Sequence, residues 1–444
     1  MDVRPLIAAA RNDETSVPLD SRSAFVLPWS IYTERQRWGF LAVLFLVSTS
    51  SYFDRSIVAV ILEAVKHEFQ VSDTLLGVLS GFSFIVFYSI LGMPVARWAD
   101  RGNRRTIITI ALTVWSAMTV LCGLAQAFWH LALARIGVGA GESGAIPPAQ
   151  SLIVDYFPAE RRATALSIFN ASVTAGYLLG IGLGGYIAAT RGWRSAFLCA
   201  GAPGLVLAII ARLALAEPRL QLGFDQPGKP AEGLAGTLTE LWRKRSFRYA
   251  LVGSCFGSLY SYGVVVFIPA FQVRVLHASL TEVSVKYGVA TAAASLLGTL
   301  GSGWLADRLG RRDIRWIAWL AAVGSAVGGI VYMLALSTND FGRFIALAFV
   351  ATVLVSGGTS IYAAIHAVCG GRRRATAIAL FLFLGTLVGG GLGPLAIGAL
   401  SDELGATFGT EGLRYSLIAM MSTLVACGVF YYLLGREMPC ELEE

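Results

Sequence analysis

An acid and a base stand side by side at Asp54-Arg55, inside an apolar run that extends from Leu41 to Val47 before them and from Ile57 to Leu62 after. A charge at membrane depth costs at least about 2.5 kcal/mol on insertion scales, so such a pair needs partners, a water-filled cavity or a function. A second pair, Arg135 and Glu142, is seven residues apart. At about 100° per residue that spacing puts both on one helix face, roughly 10 Å apart along the axis. Neighbours on a helix point about 100° apart, so Asp54 and Arg55 cannot both look into one cavity, and one of them is expected to face a neighbouring helix. Counting rise from the helix ends sets Asp54 and Arg135 near one level, with Glu142 deeper toward the cytoplasm. A buried carboxylate can take up and release a proton near neutral pH, whereas arginine stays charged and can only bind or release an anion. The acids Asp54 and Glu142 are therefore the candidates for proton coupling, and Arg135 and Arg55 for binding an anionic group. A purely structural ion-pair network between the two helices is the competing reading.

These residues must be positioned by membrane helices. The chain has 444 residues, 55% of them hydrophobic and 14% charged, with a mean hydropathy of +0.65, which is far from a soluble domain. A spanning helix needs roughly 20 apolar residues. Twelve such runs occur, near 38-65, 73-99, 106-126, 129-155, 163-189, 195-216, 247-273, 283-305, 314-336, 342-368, 375-400 and 413-435. A closed barrel would show short alternating strands instead, and the chain has none of that patterning. The net charge of +7 is spread by topology and forms no nucleic-acid patch. With both termini inside, the arginines from Arg97 to Arg105, Arg161, Arg162, the run Arg243-Lys244-Arg245, Arg308 to Arg315, and Arg372, Arg373 and Arg374 are cytoplasmic, and the outer loops keep far fewer, mainly Lys66, Arg191, Arg194, Arg274, Lys286, Arg343 and Arg414. The first 37 residues carry no cleavable signal pattern, and the first span is expected to target the chain.

The organisation expected from this is a cytoplasmic tail over 1-37, a six-helix bundle over 38-216, a linker with an interfacial helix over 217-246, a second six-helix bundle over 247-435, and a tail over 436-444. The halves repeat. Ala96-Arg97-Trp98-Ala99-Asp100-Arg101-Gly102-Asn103-Arg104-Arg105 and Gly303-Trp304-Leu305-Ala306-Asp307-Arg308-Leu309-Gly310-Arg311-Arg312 align at an offset of 207 residues, the separation of Asp100 from Asp307. Residues 158-165, with Arg161-Arg162-Ala163-Thr164-Ala165, are echoed by residues 371-377, with Arg373-Arg374-Ala375-Thr376-Ala377, before the eleventh span. The second loop resembles the signature of the major facilitator superfamily in full, whereas the first has Ala96 and Asn103 in place of glycines. The first loop, with Asp54-Arg55 and Gly139-Ala140-Gly141-Glu142-Ser143, resembles the Spinster branch.

The resemblance implies an all-α membrane protein, with twelve transmembrane helices in two pseudo-symmetric six-helix bundles that work by alternating access. It also implies gating by the loop residues Asp100, Arg104, Arg105, Asp307 and Arg311. An acid there can meet a helix N-terminus or an arginine in one conformation and release it in the other. Topology and helix termination account equally well for Arg101, Arg105, Arg308 and Arg312 taken singly.

The second half carries no ionisable residue near the middles of spans seven, eight, ten and eleven. Phe256, Tyr260, Tyr262 and Phe267 punctuate span seven, and Ser356, Thr359 and Tyr362 span ten. A cavity charged on one wall and aromatic on the other suits an amphiphile, with Tyr260, Tyr262 and Tyr362 as candidate substrate contacts. Ordinary packing is the competing reading for each ring. Glycines 176 to 185 and 385 to 398 permit close helix approach. Gly180-Ile181 stands where drug antiporters have Gly-Pro, although Gly393-Pro394 occurs in span eleven.

Six scattered cysteines indicate neither disulfides nor zinc, and four histidines without H-E-x-x-H supply no catalytic metal site. No enzyme activity, cofactor or metal is expected, and no nucleic-acid partner. The resemblance implies a proton-coupled transporter of the bacterial inner membrane, acting as a monomer among membrane lipids. Its substrate would be a lysophospholipid or a sphingosine-1-phosphate-like lipid. The alternative is a proton-coupled organic-anion or multidrug antiporter of the same fold.

Overall fold

The structure, a computed structural model, describes residues 28–222, 234–369 and 374–442. The first helix, α1, is Glu34–Phe69, opened by a capping box in which Gln36 N–H donates to Thr33 Oγ1 and Thr33 N–H donates to the Gln36 side chain at 2.9 Å. It ends on Gln70 in the left-handed region at φ 49°. Helix α2 runs as Asp73–Gly77, a π turn Val78–Phe82 and Ser83–Arg101. Next come α3, Arg104–Gly123, and α4, which is Phe128–Glu142 followed by Ile146–Tyr156. The sequence pattern marked α4 as one continuous span. The chain instead turns tightly over Ser143, Gly144 and Ala145, because glycines precede the turn and Pro147-Pro148 removes two donors at the start of the second piece. Helix α5 is Ala159–Leu179, a π turn Gly180–Gly184 and Gly185–Arg191, and α6 is Trp193–Ala214.

The second half repeats the plan. Helix α7 is Arg245–Ser258, a π turn Leu259–Val264 and Val265–Arg274, and α8 is Leu280–Glu282, a π turn Val283–Tyr287 and Gly288–Gly310. Then follow α9, Trp316–Leu336, and α10, which is Phe341–Val355, a 3-10 turn Ser356–Ser360 and Ile361–Val368. The last two are α11, Arg374–Phe408, and α12, Gly412–Glu437. Among the described residues, ten continuous helical stretches are long and apolar enough to cross a membrane. The stretch 376–440 contains both α11 and α12, and the turn after Glu142 leaves each piece of α4 too short to count, so the total is twelve spans.

Glycine stripes set the helix contacts. On α5, a Cβ at Gly176 would come within 2.5 Å of Tyr52 Cβ, one at Gly180 within 2.7 Å of the Phe53 carbonyl and one at Gly184 within 2.7 Å of Ile57. A small residue every fourth position, about once per turn, therefore lays α5 directly on the backbone of α1. The two bundles are joined chiefly at one end, opposite the arginine-rich loops. There the first turns of α2 press on α11, the end of α7 on α1, and the last part of α5 on the start of α8. One buried apolar cluster runs through both bundles, from Leu76 and Ile85 to Phe267, Phe271 and Leu417. A second, with Phe247, Ile361, Ile365 and Tyr431, belongs to the second bundle alone, near the arginine-rich end.

The linker helix Leu234–Arg243 sits under that second cluster. Leu241 is buried in it, whereas Trp242 on the adjacent face is 57% exposed. Lys244 Nζ donates to the Val368 carbonyl at 2.5 Å.

Candidate functional site

Two ion pairs bridge α1 and α4. Asp54 Oδ1 lies 3.1 Å from Arg135 Nη1, and Asp54 Oδ2 accepts from Thr119 Oγ1 on α3. Arg55, one position and about 100° further round the helix, donates from Nε to Glu142 Oε2 at 2.6 Å. Ser51, one turn earlier on α1, donates to the same oxygen at 2.6 Å. Asp54, Arg135 and Glu142 are buried, while the Arg55 side chain keeps 15% of its surface exposed. Arg55 is thus the member of the set that an incoming molecule can touch. Arg55 Nη2, Arg135 Nε and Glu142 Oε1 are buried with no hydrogen-bond partner among the described residues. Three open valences in a low-dielectric site are a reserve of polar binding capacity.

Aromatic rings close over the cations. The Arg55 guanidinium carbon lies 4.7 Å from the Tyr88 ring centre, 4.9 Å from Phe84 and 5.2 Å from Tyr52. Arg135 lies 5.1 Å from the same Phe84 ring. Such contacts are worth on the order of 0.5 to 2 kcal/mol each, more when water is excluded. The α1–α4 charges stood out in the sequence as intramembrane ionisable groups. Ser51, Thr119, Phe84 and Tyr88 did not, because a hydroxyl or a ring within an apolar run looks like packing until its neighbour on another helix is known.

The aromatic candidates of the second half separate. Tyr260 is buried edge-on against Tyr332, with ring centres 5.7 Å apart, inside the second bundle. Phe256 stacks on Phe430, and Phe267 is fully buried. Tyr262 stands within electrostatic range of Tyr52 and Tyr177, across the bundle boundary, and of Tyr362. Tyr362 is 37% exposed and meets Phe381 edge-on at 5.6 Å. The side chains of Thr359 and of the gate candidate Asp100 lie outside the described residues.

The other gate candidates fall in two groups. Arg104 is fully buried, 2.5 Å from Glu217, 2.7 Å from Asp155 and 2.8 Å from Ser151. Arg105 reaches the Leu215 carbonyl at 3.4 Å. Both arginines tie the ends of α3, α4 and α6 together within one bundle. Asp307 and Arg311 are exposed.

Among the described residues, a charged contact crosses between the bundles at the other end; of its members the sequence places only Lys66 and Arg274, as outer-loop charges, and gives no signal for Glu63, Asp73 or Asp402. Arg274 reaches Asp73 and Glu63, Lys66 reaches Asp73 at 2.6 Å, and Asp402 accepts from the backbone N–H groups of Asp73 and Thr74 at 2.8 Å. A cleft of about 710 Å³ surrounds this cluster.

The sequence profile of the Major Facilitator Superfamily matches residues 44–332. The chain belongs to this superfamily. An MFS-type efflux pump of Mycolicibacterium smegmatis is 36% identical over 406 residues, covering 90% of this chain and 93% of the pump. The sphingosine-1-phosphate transporter SPNS2 of Danio rerio is 26% identical, over 86% of this chain and 80% of that protein. Among solved structures, a bacterial homologue of the human lysosomal transporter Spinster in an inward-facing, unoccupied conformation superposes with a TM-score of 0.83 at 30% identity. That match covers 93% of this chain and all of the homologue. This facilitator is therefore a multi-pass membrane transporter related to the Spinster proteins, and its partner is a small-molecule substrate; it is not an enzyme.

Proposed function

We propose that the chain is a proton-coupled secondary transporter for an amphiphilic anion, a single-chain lipid with a phosphate headgroup, and that it works by alternating access around the α1–α4 ion pairs. The observation that carries this reading is the pairing of each arginine with its own acid, with Arg55 alone reachable. An anionic headgroup that approaches Arg55 competes with Glu142 for the guanidinium, and a released buried carboxylate is driven to take a proton. Asp54 and Arg135 repeat the arrangement with both members buried. Tyr262 and Tyr362 supply an aromatic wall for the chain of the substrate. Asp307, Arg311 and Asp100 act as gates at the arginine-rich end, which faces the cytoplasm with both termini, while Arg104 and Arg105, expected from the sequence to gate as well, brace the ends of α3, α4 and α6 within the first bundle. The conformation described here opens inward. The named transporters of sphingosine-1-phosphate and Spinster type among the relatives support the substrate class.

The test is flux into proteoliposomes. Asp54→Asn is expected to retain substrate binding and to lose the dependence of transport on a pH gradient; unchanged gradient-driven flux would sink the coupling role. Wild-type protein should bind a phosphorylated single-chain lipid more tightly than its dephosphorylated form, and equal affinity would count against the headgroup contact.

A second reading, a proton-coupled antiporter of organic anions or drugs, is favoured by the 36% identity to an efflux pump. Competition with protons by substrates that lack an acyl chain would select it.

A further inference from the structure

Two guanidinium groups from different helices share one ring. The Phe84 ring centre lies 4.9 Å from Arg55 Cζ and 5.1 Å from Arg135 Cζ, and the ring is itself buried and stacked on Tyr88 at 5.7 Å with planes 16° apart. We propose that Phe84 is a positioning residue that carries the charge state of the α1–α4 ion pairs to the closure between α2 and α11. The proposal rests on the transport reading above, in that a change of protonation or of bound anion is what rearranges the pairs.

The position of Phe84 in α2 makes the connection. On one side its backbone carbonyl lies against Gly139 of α4, leaving no room for a side chain there. On the other side the next residue, Ile85, is buried against Gly390 of α11, where a Cβ would come 2.6 Å from Ile85 Cγ1. One turn earlier, a Cβ on Gly81 would come 2.5 Å from the Gly390 carbonyl and 2.9 Å from Pro394. The segment 81–85 is thus packed without slack between the ion pairs and the opposite bundle, immediately after a π turn, a form that inserts one residue into the helix and recurs at functional positions. Close-packed elements respond to displacement as units, because interiors have little free volume.

The charged and titratable groups around the ring are Tyr52, Asp54 and Arg55 from α1, Tyr88 from α2, Cys122 from α3, and Arg135 and Glu142 from α4. Tyr177 from α5 and Tyr262 from α7 complete the set, and α11 contributes the non-titrating Gly390 and Pro394. Neutralising Asp54 removes the negative counter-charge of Arg135 and leaves only a neutral oxygen beside it, which raises the share of the Phe84 ring, already contested by Arg55, in holding the guanidinium. Rearrangement of the two cations then moves the ring, and with it the α2 surface that meets α11.

The experiment places spin labels at His67→Cys and Thr410→Cys, which line the same cleft from opposite bundles, in a chain whose six native cysteines are replaced. Asp54→Asn is expected to change the populated fraction of the separated state at least threefold. Adding Phe84→Leu should bring that change below 1.5-fold, and Phe84→Tyr, which keeps the ring, should restore it. Phe84→Met serves in place of Phe84→Leu if the latter does not yield a monodisperse protein. An equal response to Asp54→Asn with and without the ring overturns the proposal, and so does no response in the parent. Gradient-driven flux of Asp54→Asn is a separate measurement. If it is unchanged while the label response still depends on Phe84, proton coupling fails and the positioning role stands.

Discussion

Arg274 meets Asp73 as a fork, Nη1 to Oδ2 at 2.7 Å and Nη2 to Oδ1 at 3.0 Å, and so binds the end of α7 in the second bundle to the start of α2 in the first. Bidentate pairs of this kind are directional and strong. Glu63, Lys66, Ser401 and Asp402 complete the set around them.

Because the pair is largely buried, removing one partner strands the other, at a cost on the order of 3 kcal/mol. Arg274→Gln is therefore expected to shift the transporter toward the conformation that is open at this end. In a chain without its native cysteines, labelling of Leu76→Cys, buried in the first turns of α2, by a membrane-impermeant thiol reagent should accelerate several-fold, and an unchanged rate would show that apolar contacts alone hold the closure.

Asp54 and Arg135 form a unit whose parts are not independent. Arg135→Gln alone leaves a buried carboxylate without its counter-ion and should lower stability by about 3 kcal/mol. The double variant Asp54→Asn/Arg135→Gln should recover most of that loss. A thermal-unfolding cycle in detergent measures the coupling, and strictly additive shifts would mean the two side chains do not sense each other.

The glycine stripe of α5 predicts opposite outcomes for substitutions two residues apart. Gly180→Ala puts a methyl group 2.7 Å from the Phe53 carbonyl and is expected to destabilise by about 1 to 3 kcal/mol. Gly182→Ala meets nothing within 4 Å and should be neutral or stabilising by up to roughly 1 kcal/mol through helix propensity. Melting temperatures of the two variants decide it.

Glu441 caps the start of α7, accepting from the backbone N–H groups of Arg245 at 2.9 Å and Ser246 at 3.0 Å and from the Ser246 hydroxyl. Partial burial pushes its carboxyl up, but the Ser246 hydroxyl and the two backbone donors outweigh this and hold it below its ordinary value. A depressed folded-state value means that the stabilisation is complete above the unfolded-state value and is lost as pH falls through the folded one. Glu441→Gln should lower stability at neutral pH by about 1 kcal/mol and flatten its decline on acidification, as followed by thermal melting from pH 7 to pH 3.

The sequence alone determined the class of this protein and the placing of its spans, because the bilayer imposes one dominant rule: about 20 apolar residues per crossing, with backbone groups satisfied within the helix. It also singled out Asp54, Arg55, Arg135 and Glu142, since charge inside an apolar run is rare enough to need no alignment to notice. It could not assign partners. Tertiary structure alone decided that Asp54 takes Arg135 while Arg55 takes Glu142, that Tyr260 turns into the second bundle while Tyr262 faces the first, and that α4 turns immediately after Glu142. It also set the cross-bundle contact at Arg274 and Asp73, residues 201 positions apart. A side chain's direction on its own helix follows from a local repeat, whereas the group it meets depends on how helices distant in sequence pack, and glycines 176, 180 and 184 set that packing by fit rather than by charge.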